Sequence, residues 1–358
     1  MPHELPSRPS TPDGPADPSA GEQLESLAAE LVFERPALAR SLLLRQRLGG
    51  LLVDGFFAGL ARGFQLLPRS RPATHGVEVL KDLAYLPDGS VAHRLDLYRP
   101  RERSGPLPVV LYIHGGAFRA LSKDTHWVFG LVFARRGYLV VNVNYRLAPA
   151  QRFPAAVQDV CAAYRWVVEN AARYGGDPAR ILVAGESAGA NLTLALALAT
   201  CYRRPEPWAR AVFDTGVVPR AVLPACGILQ VTDPERYWRK NPLHFFLRDR
   251  LSESADAYLK GVRVPREGGL DLADPLLMLE RGQPPERPLP PFFVACGTGD
   301  VLLEDSKRLE RALQKLGAPC EARYYEGEPH AFHAFVTVRP HARRHWEDVF
   351  HFLGQRLA

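Results

Sequence analysis

Residues 181–201 read ILVAGESAGANLTLALALATC, the most informative stretch of this 358-residue chain. The apolar run Ile181–Ala184 predicts a buried strand, and Ala188–Cys201 predicts an apolar helix directly behind it. Ser187 stands in the turn between them, flanked by Gly185 and Gly189. A serine at a tight strand-to-helix turn is the arrangement of a nucleophile elbow, in which small neighbours avoid clashes. Taken alone, the pattern also fits a glycine-rich turn that carries a surface serine.

A second turn of small residues, His114-Gly115-Gly116-Ala117-Phe118, follows the apolar run Val109–Ile113. Backbone N–H groups in such a turn can approach a carbonyl oxygen and stabilise the negative charge that develops there during acyl transfer. A phosphate-binding loop is disfavoured, because neither Gly-Lys-Ser/Thr nor Gly-x-Gly-x-x-Gly is present. We expect the donors to be the N–H groups of Gly116, Ala117 and Ala188, with Gly115 as an additional candidate.

A serine hydroxyl is a weak nucleophile at neutral pH and needs a histidine base, itself oriented by a carboxylate. Asp300 follows the predicted strand that begins at Phe292, and His330 follows the next predicted strand. Both therefore lie at the sheet edge where Ser187 stands. The candidate catalytic residues are Ser187, Asp300 and His330.

Other carboxylates and histidines compete with this assignment. Glu304 and Asp305 begin the next predicted helix, where carboxylates commonly interact with the helix dipole. His333 is expected to face away or pack under a helix, and His114 to orient its loop. Four further histidines have no partner pattern and are interpreted as surface or packing residues: His126, His244, His341 and His351.

Strand-like and helix-like segments alternate from Val77 onwards, which predicts an α/β fold with a mostly parallel sheet and helices on both faces. The predicted strands are Val77–Leu86, Arg94–Tyr98, Val109–Ile113, Tyr138–Val143, Ile181–Ala184, Ala221–Ile228, Phe292–Ala295 and Ala322–Tyr325. One predicted helix begins after Pro154. Three others cover Ala188–Cys201, Asp305–Leu316 and Ala342–Leu353.

Three parts of the chain are distinguished by composition. Residues 1–20 are rich in proline and polar side chains, which predicts a disordered tail. Residues 21–72 predict an N-terminal helical segment, within which Leu48–Leu60 is apolar but too short to span a membrane. Residues 73–358 form the predicted catalytic domain, interrupted at about 232–291 by an insertion with its own helices.

Charge and cysteine content narrow the function classes. The net charge is +6, but the basic residues are scattered, which favours a solvated surface over a nucleic-acid site. Five widely spaced cysteines without a Cys-x-x-Cys pair indicate reduced core thiols rather than disulfides or a metal site. With no apolar leader segment near Met1, we expect a cytoplasmic protein.

Taken together, these motifs resemble the hormone-sensitive-lipase-like esterases of the α/β-hydrolase superfamily over about Val77–Leu357. The chain departs at Ala117 and Ala190, where the family often has glycine. The resemblance implies an eight-stranded sheet and a helical cap built from residues 21–65 and 232–291. The matching segments are His114–Phe118, Asn144–Pro149, Phe153–Ala156, Asp159-Val160, Asp177-Pro178, Gly185–Leu192, Gly299-Asp300 and His330–Phe332.

The implied activity is hydrolysis of small carboxylic esters through an acyl-enzyme, with no cofactor and no metal. An amidase of the arylformamidase type uses the same groups, and a non-catalytic ligand-binding relative is a further alternative. A metal-dependent or haloalkane-type hydrolase is disfavoured because serine occupies the elbow. The apolar N-terminal helix either packs on the catalytic domain or makes peripheral lipid contact. The resemblance allows a monomer or a homodimer.

Overall fold

Ten strands are formed in the computed structural model, which describes residues 30–35, 40–239, 242–336 and 338–357. The predicted tail, residues 1–20, lies outside the described residues. The strands are β1 (Glu30–Val32), β2 (Val77–Ala84), β3 (Arg94–Pro100), β4 (Leu107–Ile113), β5 (Leu139–Val143), β6 (Gly176–Glu186), β7 (Ala221–Ala225), β8 (Arg263–Pro265), β9 (Phe292–Gly297) and β10 (Cys320–Tyr325).

Eight of these strands form the central sheet, in the order β10-β9-β7-β6-β4-β5-β3-β2. From β10 to β5 all neighbours are parallel, whereas β3 pairs antiparallel with both β5 and β2. The carboxyl ends of β6, β7, β9 and β10 therefore meet at one edge, as the sequence predicts. The predicted eight-stranded, mostly parallel sheet is confirmed.

Ten α-helices cover the sheet and its edge in the described part of the chain. They are α1 (Arg40–Gln65), α2 (Trp127–Ala134), α3 (Ala155–Asn170), α4 (Ala188–Cys201), α5 (Pro207–Phe213), α6 (Arg236–Arg239), α7 (Phe245–Leu259), α8 (Pro275–Glu280), α9 (Leu303–Lys315) and α10 (Pro340–Leu357). None of these described helices combines the length and apolar content needed to cross a membrane.

The sheet separates two apolar cores, as the alternation of side chains along β4 illustrates. Val109, Leu111 and Ile113 belong to one core, while Val110 and Tyr112 point to the other. Helix α4 is buried along its whole length, so its sequence is apolar on every side. The elbow is thus anchored by a fully buried helix.

The N-terminal segment departs in part from its helical prediction. Residues Glu30–Val32 form strand β1, antiparallel to β8 of the insertion, with Leu31 opposite Val264. Pairing with a strand more than 200 residues away supplies hydrogen bonds that the local pattern does not reveal, so the helical interpretation of Leu31 is wrong. The helix prediction holds for α1.

Two further helices were not expected from the sequence. Helix α2 reads WVFGLVFA, which is apolar throughout and shows no amphipathic period. Helix α5 is only seven residues long. The insertion at 232–291 contains the expected helices, α6, α7 and α8, and also strand β8.

Candidate active site

Ser187 lies at the sharp turn between β6 and α4. Its backbone has φ +57° and ψ −119°, a conformation that is costly for a residue with a side chain. A Cβ on Gly185 would lie 2.6 Å from the Ile113 carbonyl oxygen, and one on Gly189 would lie 2.1 Å from it. Only glycine fits at either position, so the two glycines permit the turn that presents Ser187.

The Ser187 backbone is tied to the end of β7. Its N–H donates to the Ala225 carbonyl at 3.0 Å, and its carbonyl accepts from Ile228 N–H at 3.3 Å. These bonds bracket Cys226, which has an unusual φ of +40° and is buried. The elbow is therefore supported from the side on which the acid and the histidine lie.

Asp300 and His330 form a direct pair at this edge. Asp300 Oδ2 lies 2.8 Å from His330 Nδ1, and Asp300 Oδ1 accepts from Leu302 N–H at 2.9 Å. Burial opposes ionisation of Asp300, but His330 and the Leu302 N–H outweigh it and lower the pKa of this carboxyl. An ionised Asp300 only accepts hydrogen bonds, so Nδ1 of His330 carries the proton and Nε2 is left to act as a base.

Desolvation disfavours a charged His330, yet Asp300 outweighs it, with a further contribution from Cys226. The pKa of His330 is therefore raised well above its ordinary value. Among the described residues, Ser187 makes no hydrogen bond to His330. Such bonds are often long before a substrate is bound. The structure thus brings Asp300 and His330 into contact and sets Ser187 at the same edge.

Cys226 lies between the Ser187 turn and the His330–Asp300 pair. Its thiol lies within 4.8 Å of a ring nitrogen of His330 and a carboxylate oxygen of Asp300. In the described part of the chain, these three residues are the one group with spacing suited to a metal ion. Burial raises the pKa of Cys226, which disfavours the thiolate a metal would need. All five cysteines have free thiols; four are buried and Cys320 is half-buried.

The turn after β4 faces the elbow, since a Cβ on Gly115 would lie 3.2 Å from Ser187 Cβ. Gly115 N–H donates to Glu186 Oε1 at 2.7 Å, so it is not free to bind an oxyanion, which corrects its inclusion among the donors. Neither Gly116 nor Ala117 donates its N–H to another described residue. Both have positive φ, +115° and +55°, and the Ala117 methyl leaves this turn intact.

Glu186, next to Ser187, binds three buried groups around the site, a role that the sequence did not reveal. Besides Gly115 N–H, it accepts from the Tyr112 hydroxyl and contacts His126 Nε2 at 2.5 Å. Burial disfavours the carboxylate, but His126 and the Tyr112 hydroxyl outweigh this and hold the pKa of Glu186 at about 2. A buried carboxylate thus connects the loop that follows β4 to the Ser187 turn.

The histidines fall into distinct roles. His114 is buried and stacks on Tyr145, with ring centroids 4.3 Å apart. Burial beside His126 lowers the pKa of His114 to about 3, so this ring does not take part in proton transfer. His333 packs under α10, and burial lowers its pKa to about 4. His126 was interpreted as a surface or packing residue, but it is the partner of Glu186. The other three bond locally: His244 with Phe246 N–H, His341 with Glu328 and His351 with Gln355.

The competing carboxylates serve other purposes. Asp305 is buried and accepts from Leu229 N–H at 2.9 Å, Arg236 Nη2 at 2.6 Å and the Tyr237 hydroxyl at 2.8 Å. Glu304 pairs with Arg311 at the surface. Asp305 therefore attaches the insertion to α9, and of the three carboxylates Asp300 is the one bonded to His330.

Helices α1 and α7 both contact the loop that follows β4. Phe118 stacks on Tyr258 of α7 with ring centroids 3.9 Å apart, and Ser254 Oγ donates to the Ala117 carbonyl at 3.3 Å. Arg119 Nη2 lies 2.9 Å from Asp54 of α1. The N-terminal segment and the insertion thus both contact the loop beside Ser187.

This arrangement, a serine elbow with a paired acid and histidine on a mostly parallel sheet, agrees with the similarity of this chain to known proteins. Residues 110–334 match the sequence model of a protein family that has the α/β-hydrolase fold. The chain belongs to this family.

Three proteins illustrate the relationship. Carboxylesterase NlhH of Mycobacterium tuberculosis is 32% identical, over 70% of this chain and 73% of its own length. Versiconal hemiacetal acetate esterase of Dothistroma septosporum is 29% identical, over 86% of this chain and 88% of its own length. A solved hormone-sensitive lipase from a metagenome library has a TM-score of 0.65 at 23% identity, covering 96% of this chain and 99% of that one. The resemblance to hormone-sensitive-lipase-like esterases is confirmed, and this α/β-hydrolase is an enzyme of the esterase and lipase class.

Proposed function

We propose that this α/β-hydrolase hydrolyses small carboxylic esters through an acyl-enzyme on Ser187. One observation carries the proposal: a serine on a strained, positive-φ elbow shares a sheet edge with a hydrogen-bonded His330–Asp300 pair. A strained turn that presents a half-buried nucleophile and a base oriented by a buried carboxylate are what acyl transfer needs.

In the first half-reaction, Ser187 Oγ attacks the ester carbonyl carbon while His330 Nε2 accepts the hydroxyl proton. The tetrahedral intermediate collapses, the bond to the alcohol oxygen breaks, and the alcohol leaves with the proton from His330. Water then attacks the acyl-enzyme with His330 again as base, which releases the carboxylic acid and restores Ser187. Asp300 stays ionised throughout and stabilises the imidazolium.

The oxyanion is bound by backbone N–H groups. Gly116 and Ala117 offer N–H groups without an acceptor among the described residues, and Ala188 begins α4, where the helix dipole favours negative charge. Gly115 holds the loop in place through Glu186.

Replacing Ser187 with alanine tests the assignment. The variant should retain its fold and lose turnover of p-nitrophenyl acetate by at least about 10³-fold, because it lacks the attacking oxygen. Ser104, exposed in the loop before β4, supplies the matched control, since Ser104→Ala leaves the site untouched. Circular dichroism checks that both variants fold.

Covalent labelling adds a second readout. A fluorophosphonate probe should attach to Ser187 in the wild type and the Ser104→Ala variant, and fail to attach in Ser187→Ala. Retained turnover by a folded Ser187→Ala variant would refute the assignment. A wild type that neither labels nor hydrolyses esters would instead favour a ligand-binding role, and faster cleavage of the matched amide would favour an amidase.

A further inference from the structure

Helix α1 is oriented against the usual rule for a surface helix, because its small and polar residues face the protein. Gln46 and Gly50 are its buried residues, and Asp54 also turns inward to Arg119. Large apolar side chains face outward instead, with Leu51 69%, Leu52 75% and Phe56 63% exposed. A helix normally buries its apolar side, so an outward apolar side is available to a partner.

Polar contacts with α7 and the oxyanion loop fix this orientation. Arg45 binds Asp249 at 2.7 Å, Arg250 donates to the Gln46 carbonyl, and Asp54 pairs with Arg119. Turning the helix to bury its leucines would break these contacts. The outward apolar side is therefore built into the fold.

Helix α7 extends the same surface. Phe245, Phe246 and Leu247 are exposed at its start, and the Arg45 guanidinium lies 5.3 Å from the centre of the Phe245 ring. We name the combined region the cap apolar surface. It consists of Leu43, Leu44, Leu48, Leu51, Leu52, Phe56, Phe57, Phe64, Phe245, Phe246 and Leu247.

Unpaired positive charge accompanies this surface. Arg40, Arg47 and Arg62 are exposed on α1, and none forms an ion pair or hydrogen bond with another described residue. Asp54 is the one acidic residue of α1, and Arg119 neutralises it. The surface thus combines leucines and phenylalanines with uncompensated arginines.

We propose that the cap apolar surface binds the headgroup region of an anionic lipid bilayer. Leucine and phenylalanine side chains enter the boundary between headgroups and acyl chains, while arginines contact lipid phosphates. A second copy of the chain is a poorer occupant, because a symmetric contact brings the same unpaired arginines together. The inference rests on exposure and charge and does not depend on the proposed ester hydrolysis.

Vesicle co-sedimentation of the full chain tests the proposal. We expect binding to vesicles of phosphatidylcholine with 30% phosphatidylglycerol, weaker binding to pure phosphatidylcholine, and loss of the difference at 0.5 M salt. The triple variant Leu51→Gln/Leu52→Gln/Phe56→Gln should bind at least tenfold more weakly. Its substitutions are at exposed positions, so the fold should persist.

Two controls separate the causes. Val91 is 75% exposed in the connection between β2 and β3 and does not belong to the cap apolar surface, so Val91→Gln should bind like the wild type. Arg47→Gln/Arg62→Gln should lower binding to anionic vesicles alone. Absence of vesicle binding by the wild type, or equal binding by the triple variant, would overturn the proposal. A wild-type dimer that the triple variant dissociates, without vesicle binding, would assign the surface to a second copy.

Discussion

Replacing Glu186 with glutamine tests whether a buried anion holds the oxyanion loop. Glu186 accepts from Gly115 N–H and from the Tyr112 hydroxyl, and contacts His126 Nε2. Glutamine keeps the size, but an NH2 group replaces one of the two carboxylate oxygens that accept from Tyr112 and Gly115. The substitution therefore removes the charge and one of the two acceptors.

Two arguments give the size of the effect. Removing one partner of a buried ion pair costs about 3–5 kcal/mol. Independently, a Glu186 pKa lowered from 4.5 to about 2 in the folded protein corresponds to about 3 kcal/mol of stabilisation at neutral pH. We therefore expect Glu186→Gln to lower the free energy of unfolding by about 3 kcal/mol at pH 7.

The sign of the pH dependence follows from the lowered pKa. Stabilisation by a group whose folded pKa is depressed is complete above its unfolded value, 4.5, and is lost as the pH falls towards about 2. Urea unfolding of both proteins between pH 7 and pH 3 should show their difference in free energy narrowing below pH 4.5. Turnover should also fall, because the loop carrying Gly116 and Ala117 is no longer fastened.

Glu304→Gln is the matched control, since Glu304 pairs with Arg311 at the exposed surface. That variant should stay within about 0.5 kcal/mol of the wild type. A loss below about 1 kcal/mol for Glu186→Gln, or a loss that does not change with pH, would refute the role assigned to the buried carboxylate.

Two further substitutions address the site. Asp300→Asn should lower turnover by about 10⁴-fold. It should also move the acid limb of the kcat/KM profile to lower pH, because the charge of Asp300 raises the pKa of His330 and the neutral ring is the base; an unmoved limb would contradict this. Gly189→Ala should lose about 3 kcal/mol or more, since its Cβ would lie 2.1 Å from Ile113 O, whereas Gly354→Ala, with open space, should gain up to about 1 kcal/mol in thermal unfolding.

Much of this fold could be predicted from local patterns. Buried parallel strands are continuous apolar runs, so β4, β5 and β6 were identified within a few residues. The acid and the histidine could be proposed because each follows a strand, and the ends of parallel strands share one edge. Asp300 and His330, 30 residues apart in sequence, are in contact as that reasoning requires.

What sequence patterns could not supply depends on distant contacts. Glu186 and His126 are separated by 60 residues, and no spacing rule links them. The contact between their side chains was therefore not expected. The pairing of β1 with β8 is likewise invisible in a segment with helix-like spacing. Gly115 shows a subtler limit: its type and position fit an oxyanion donor, but its N–H direction is decided by Glu186.

The contacts of the oxyanion loop with α7 and α1 have a consequence for how this enzyme can change specificity. Ala117 and Phe118 each contact α7, and Arg119 contacts α1. Under the proposed function, the loop that stabilises the transition state is therefore supported by helices of the N-terminal segment and of the insertion. Exchanging these two helices with those of a relative should alter kcat together with KM, and remodelling for new substrates must preserve the three contacts that support the loop.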